Sequence, residues 1–349
     1  MTAAGGAATG APRVGEHFML GFRGLTLPSW LVDFAAAYGL GGVLLFDRDV
    51  QQGGLRNVGS PEQLQALCAE VHALPGRPLV FVDQEGGRVR RLKPAAGFCE
   101  LPSARAFAGL PDDEARRLAA ASCDEMKRLG IDFDLAPVID LDTNPDNPNI
   151  GKIERAYSAD PEEVARCARI FGEAARRAGL GLCVKHFPGL GGARTDSHLA
   201  LTDISGLVSR AQEDLFYHLV AELPGSAALF SHGFVREWDA ERPVSISPAA
   251  VARFRARRPE ALLVTDDLQM QGLQGAATTE HAVFAALHAG LDLLCIGNNL
   301  LAQSGECVEI AKALRARVAQ DDALCASLAA SRARIAQRKR FAAAGAAED

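Results

Sequence analysis

Eight short apolar runs separated by helical stretches, with ionisable residues gathered just behind several of them, predict an α/β protein folded as a single (β/α)8 TIM-type barrel. The runs are nearly continuous rather than alternating, which implies strands buried on both faces and so a parallel sheet covered by helices. A chain of 349 residues suits one such barrel. The expected organisation is a flexible leader over 1–14, the barrel over 15–341 and a frayed tail over 342–349.

The strands are expected at 17–22, 42–46, 79–82, 131–136, 181–184, 227–230, 261–265 and 291–296. Between the third and fourth, Asp112 and Asp113 are placed to cap a helix that Gly130 stops. After the fourth, Asp160 is a natural N-cap, Pro161 fits the first helical position and Glu163 is spaced for a capping box. Val164, Cys167, Ala168, Phe171, Ala175 and Ala178 recur at helical spacing and mark that helix's buried face. The basic run 332–340 reads as a last helix with a solvated charged face.

Composition narrows the function. With 48% hydrophobic and 23% charged residues the chain can bury a large core. A net charge of -6 and a pI near 5.8 remove the electrostatic case for nucleic acid. No apolar run approaches the roughly 20 residues needed to span a bilayer, and the opening residues lack a signal-peptide pattern, so a cytoplasmic protein without a membrane partner is expected. Cys68, Cys99, Cys123, Cys167, Cys183, Cys295, Cys307 and Cys325 are scattered without C-x-x-C spacing, which points to reduced core thiols rather than a zinc site or a disulfide framework. No cofactor is expected, and a monomer is the default.

The densest chemistry lies in VKHFPGLGGARTDSH, 184–198. Lys185 and His186 fall where the fifth strand leaves the core, and Gly189, Gly191 and Gly192 are expected to let the chain bend and move. Asp196 and His198 share one side of an extended segment, where a carboxylate fixes the tautomer of an imidazole and makes a usable general acid/base. In VDQEGGRVRRL, Asp83 follows the third strand, Gly86 and Gly87 allow close approach of backbone, and Arg88 is free for an ion pair or a hydroxyl contact. Arg155 is the ligand-facing candidate of the long loop 141–161, and His232 ends the sixth strand. In VTDDLQM, Asp266 is a carboxylate on a rigid strand end, suited to nucleophilic attack or to stabilising a cation, and Asp267 is a helix-cap candidate. These residues share the rim where barrel enzymes place their chemistry.

KHFPG followed by DSH, with VDQEGGRV, NPNIG...ERAYSADP and TDDLQM, resembles the motifs of glycoside hydrolase family 3, above all its single-domain bacterial β-N-acetylglucosaminidases of peptidoglycan recycling. The resemblance runs in the expected order from about residue 18 to about 297. It implies a (β/α)8 barrel that removes non-reducing terminal N-acetylglucosamine with retention, from N-acetylglucosaminyl-1,6-anhydro-muramic acid and its peptides. It implies Asp266 as nucleophile, His198 oriented by Asp196 as acid/base, and Asp83, Arg155, Lys185 and His186 as the groups that hold the sugar. A histidine in that role departs from the usual pair of carboxylates. Two departures from the family pattern are Leu190, where KHFPGHG has histidine, and a loop before Arg155 that is longer by two residues.

Other readings make different demands. Another family 3 β-glycosidase or an N-acetylglucosamine phosphorylase would share these motifs, and a substrate-assisted glycosidase would use Glu85 as acid. A Schiff-base aldolase would need Lys185 to lose its proton beside carboxylates that keep it charged. A metal-dependent hydrolase would want a His-x-His pair that the sequence lacks, and a non-catalytic sugar-binding barrel would bind without turnover.

Overall fold

In the computed structural model, residues 12–195, 201–223, 225–274, 278–300 and 304–345 are described. Eight parallel strands form the sheet: β1 Phe18–Leu20, β2 Gly42–Leu45, β3 Leu79–Val82, β4 Phe133–Asp134, β5 Gly181–Phe187, β6 Ala227–Phe230, β7 Leu262–Thr265 and β8 Leu294–Ile296. Each pairs with its neighbours in sequence, and β8 returns to β1 through Phe18 opposite Leu294. The ring closes because β7 also meets the start of β8, with Val264 bridged to Leu293 and the Thr265 amide donating to the Leu293 carbonyl at 3.0 Å. The fold is thus the expected (β/α)8 barrel, with every expected strand present and most of them shorter than their apolar runs.

The helices around it are α1 Ser29–Tyr38, α2 Pro61–Ala73, α3 Asp112–Arg128, α4 Pro161–Ala178, α5 Arg210–Glu222, α6 Pro248–Arg257, α7 Thr279–Ala289, α8 Ser304–Val318 and α9 Asp322–Ala344. Asp160 caps α4 by accepting the Glu162 amide at 3.0 Å, and the apolar positions expected to face inward are all buried. Glu163 makes no capping box: its carboxylate turns to Arg166. Nor do Asp112 and Asp113 cap α3, whose N-cap is Pro111 and has no side-chain bond; they lie in the first turn, where their charge suits the helix dipole.

Met19, Leu44, Phe81, Phe133, Leu135, Cys183, Leu229, Val264 and Cys295 fill the barrel interior. Ile335 and Ala342 of α9 join that cluster, so the last helix closes the barrel's lower end. Three of its basic residues, Arg334, Arg338 and Lys339, do not lie on the solvated face expected of them. Arg334 pairs with the buried Asp292 at 2.8 Å, Arg338 donates to the Ser226 and Glu260 carbonyls, and Lys339 reaches the Leu40 and Gly76 carbonyls. They bind carbonyls and a carboxylate at the starts of strands while their stems cover apolar surface.

Near the start of the described residues Val14 is fully buried and Arg13 bonds Glu16. Helix α9 runs to Ala344, and the Ala342 carbonyl accepts from Lys127 at 2.6 Å. Cys68, Cys123, Cys167, Cys183, Cys295 and Cys307 are buried free thiols, while Cys325 is exposed. Among the described residues no helix is long and apolar enough to cross a membrane.

Candidate active site

The C-terminal ends of the strands open into a pocket of about 450 Å³ lined by Asp83, Glu85, Arg155, Lys185, His186, Leu190 and Asp266, among others. That volume is within the range of small-molecule sites.

Strand β5 runs three residues further than its apolar run, so Lys185 and His186 belong to it. Successive residues of a regular strand face opposite ways, yet both line the pocket. The reason is a register shift: Val184 faces Ala228 and Phe187 faces Phe230, which leaves one extra residue in β5 between these pairs. Phe187 then anchors the strand end, with its ring 4.7 Å from Phe230 and 4.8 Å from Phe254.

A buried ionic network follows. The Lys185 ammonium sits 2.7 Å from Asp83 Oδ1 and 2.6 Å from Glu85 Oε1. Arg155 forks onto Glu85 at 2.7 and 2.8 Å, donates to the Asn149 carbonyl at 2.9 Å and reaches His186 Nε2 at 3.0 Å. Because a guanidinium only donates, Nε2 is the acceptor and His186 carries its proton on Nδ1, which faces Asp140 Oδ2 at 2.8 Å. Asp83 Oδ2 takes a second cation, Arg91, at 3.0 Å.

The charges are set by this pairing. Burial works to raise the Glu85 carboxyl, but Arg155 and Lys185 outweigh it and hold it down at about 2. Burial likewise opposes ionisation of Asp83, and Lys185 and Arg91 overcome it, leaving that carboxyl well below its usual range. Burial alone would depress Lys185, yet Asp83 and Glu85 push it above the usual lysine range. It therefore stays charged, which removes the basis for a Schiff-base lysine. Beneath this network Asp134 is fully buried: desolvation pushes it up to about 8, its Oδ1 accepts the Gln84 amide at 2.9 Å, and its Oδ2 has no partner among the described residues.

Asp266 and Asp267 follow β7 and differ in use. Asp267 accepts the amides of Gln269 at 3.0 Å and Gly297 at 3.1 Å, which makes it the turn-forming residue of the pair. Its carbonyl accepts from His232 Nε2 at 2.9 Å, so His232 is a brace for this turn. Asp266 is half-buried on the pocket wall, and its Oδ1 accepts the Asp267 amide at 2.9 Å.

Arg155 faces the pocket despite its longer loop because Asn147 organises that loop. Its side chain accepts the Asn149 and Ile150 amides and donates to the Leu190 carbonyl at 2.7 Å. The glycines after β5 let the chain bend and pack closely, with Gly189 at φ +127. A Cβ on Gly191 would lie 1.7 Å from the Leu141 carbonyl oxygen, and one on Gly189 would lie 2.5 Å from Gln212. They permit close packing, and Asn144 holds the Ala193 carbonyl at 2.8 Å. Asp196 and His198 lie outside the described residues.

The sequence reading placed Asp83, Arg155, Lys185, His186 and Asp266 on one rim, and all five line this pocket. It missed Asp140, the partner of His186, and Arg91, the second cation on Asp83. Both were accessible as charged residues just beyond strand ends. Arg88 does not bridge Asp83; Arg91 does.

A closed parallel barrel with a polar, ion-paired pocket on its C-terminal rim defines a barrel enzyme for a small polar substrate. The chain belongs to glycosyl hydrolase family 3: residues 30–337 match the glycosyl hydrolase family 3 N terminal domain. It is 37% identical over 270 residues to a β-hexosaminidase of Methylococcus capsulatus, covering 74% of this chain and 75% of that one. A β-hexosaminidase of Idiomarina loihiensis is 32% identical over 81% of this chain and 84% of its own. Among solved structures, the β-N-acetylhexosaminidase of Beutenbergia cavernae superposes with a TM-score of 0.81 at 27% identity, over 94% of this chain and 97% of that one. A family 3 β-N-acetylglucosaminidase from Paenibacillus sp. matches with a TM-score of 0.83 at 28% identity; this chain spans 65% of that protein's length.

Proposed function

We propose that the chain is a retaining β-N-acetylglucosaminidase that removes terminal N-acetylglucosamine from N-acetylglucosaminyl-1,6-anhydro-muramic acid and its peptides, as a cytoplasmic monomer without a cofactor. The observation that carries this reading is the presence of the Asp266 carboxylate in the same pocket as the Asp83–Lys185–Glu85–Arg155 network of a family 3 barrel.

The division of labour follows from donor and acceptor accounting. A carboxylate offers about four lone-pair sites; Asp83 gives Lys185 and Arg91 one each and keeps capacity for sugar hydroxyls. Lys185 has three N–H donors and keeps one beyond Asp83 and Glu85. Arg155 is nearly saturated and His186 has both ring nitrogens engaged, so His186 acts by fixing Arg155. Asp266 then attacks the anomeric carbon and forms a glycosyl ester while His198, oriented by Asp196, gives its proton to the leaving oxygen. In the second step His198 takes a proton from water, the hydroxide displaces Asp266, and the β-configuration is restored. Glu85 is held ionised by two cations, which disfavours it as the proton donor of a substrate-assisted route.

Product analysis by proton NMR tests the reading. An aryl β-N-acetylglucosaminide and the anhydro-disaccharide should both release N-acetylglucosamine, with the β-anomer formed first. First formation of the α-anomer, or faster cleavage of the corresponding glucoside, would contradict it.

A further inference from the structure

Most cations lining the pocket are already neutralised. Arg90 pairs with Glu100, Arg91 with Asp83, Lys93 with Asp47, Arg155 with Glu85, and Lys185 with Asp83 and Glu85. Arg48 and Arg88 differ. Both are exposed, both line the pocket, and neither side chain has an ion pair or hydrogen bond among the described residues.

Their backbones are nevertheless fixed. The Arg48 carbonyl accepts from Asn299 at 3.1 Å, and the same side chain accepts the Val50 amide at 3.0 Å. Next to it Asp49 accepts the Gln51 and Gln52 amides and pairs with Arg56 at 3.1 Å. Arg88 stands in the two-residue turn between the antiparallel strands Gln84–Gly86 and Val89–Arg90. Gly87 makes that turn at φ +56, where a Cβ would also meet Ser103 at 2.8 Å. Two guanidiniums unpaired among the described residues thus hang from hydrogen-bonded loops at a pocket whose wall carries Asp266, which would repel an anion placed on it. Val50, 60% exposed, adds apolar surface to the same lining.

We propose that Arg48 and Arg88 form an outer subsite that selects a leaving group carrying a negative charge, carboxylate or phosphate, with Val50 covering its apolar part. The field then orients the substrate, with the uncharged sugar on Asp266 and the acid at the mouth. A guanidinium suits either oxyanion because its fork matches both. This inference rests on the glycosidase reading and adds to it the residues that choose the leaving group.

The test compares Arg48→Gln, Arg88→Gln and the double variant with the wild type on three aryl β-N-acetylglucosaminides of matched leaving-group reactivity: neutral, carboxylate-bearing and phosphate-bearing. The readout is selectivity, the ratio of kcat/KM for each acid-bearing substrate to that for the neutral one. Each substitution should lower that ratio about tenfold, and added salt should lower it in the wild type. The arm with the larger loss identifies the anion. A ratio unchanged in the variants would overturn the subsite. No turnover of the neutral substrate by the wild type would overturn the glycosidase reading itself, a distinguishable result.

Discussion

The two ends of the barrel each hold a carboxylate between two cations, and only one end makes a site of it. At the lower end Asp292 pairs with Arg255 at 2.6 Å and Arg334 at 2.8 Å, and also accepts the Leu263 amide at 2.8 Å. Helix α9 covers it and its capacity is spent on the fold. At the upper end Asp83 also holds two cations, but it keeps acceptor capacity and borders an open pocket. What separates structure from function is therefore not the ion pairs but which end of the strand they occupy. Asp292 precedes β8, whereas Asp83 and Asp266 follow β3 and β7.

The largest expected effect lies at the rim. Asp266→Ala should lower kcat/KM for aryl N-acetylglucosaminides by at least about a thousandfold, with a thermal midpoint close to the wild type. Collapse of the fold instead would make Asp266 another Asp292.

The direct exchange is next. Asp83→Asn should lower kcat/KM about a hundredfold through lost charged hydrogen bonds. Asp292→Asn leaves two arginines without their carboxylate and should cost about 3 to 5 kcal/mol of stability, read by urea unfolding, while kcat/KM of the folded enzyme stays within about twofold. Reversed effects would break the distinction between the ends.

Titration sharpens it further. Glu85 is held at about 2 against an ordinary 4.5, so its contribution is fully present above pH 4.5 and is lost as pH falls toward 2. The wild type should exceed Glu85→Gln in stability at neutral pH, and the gap should close across that acid window. Asp134 has the opposite sign. Its carboxyl is raised from 3.8 to about 8, so the wild type carries a penalty that grows between those pH values. Asp134→Asn should gain stability relative to wild type as pH rises and show no gain near pH 4, a small effect measurable by thermal unfolding.

The barrel was legible because burial on both faces leaves each strand as an apolar run, and the cap at Asp160 because its signal is local. The rim was legible because Asp83, Lys185, His186 and Asp266 each end such a run. Other features depend on partners distant in sequence. The charges of α9 read as solvated because nothing local announces that carbonyls at strand starts will receive Arg338 and Lys339. The close packing of Gly189 and Gly191 was not legible because sequence does not reveal Gln212 and Leu141 pressed against them. The exchange of Arg91 for Arg88 turned on a tight turn whose geometry decides which arginine faces Asp83.

In the proposed mechanism Asp266 forms a covalent bond to the sugar. Incubation with a fluorinated N-acetylglucosaminyl donor that slows release of the intermediate, followed by digestion and mass spectrometry, tests it most directly. The expected result is one added sugar on the peptide containing Asp266, absent from Asp266→Ala. Label on Asp83, Glu85 or any other carboxylate, or turnover without label, would contradict it.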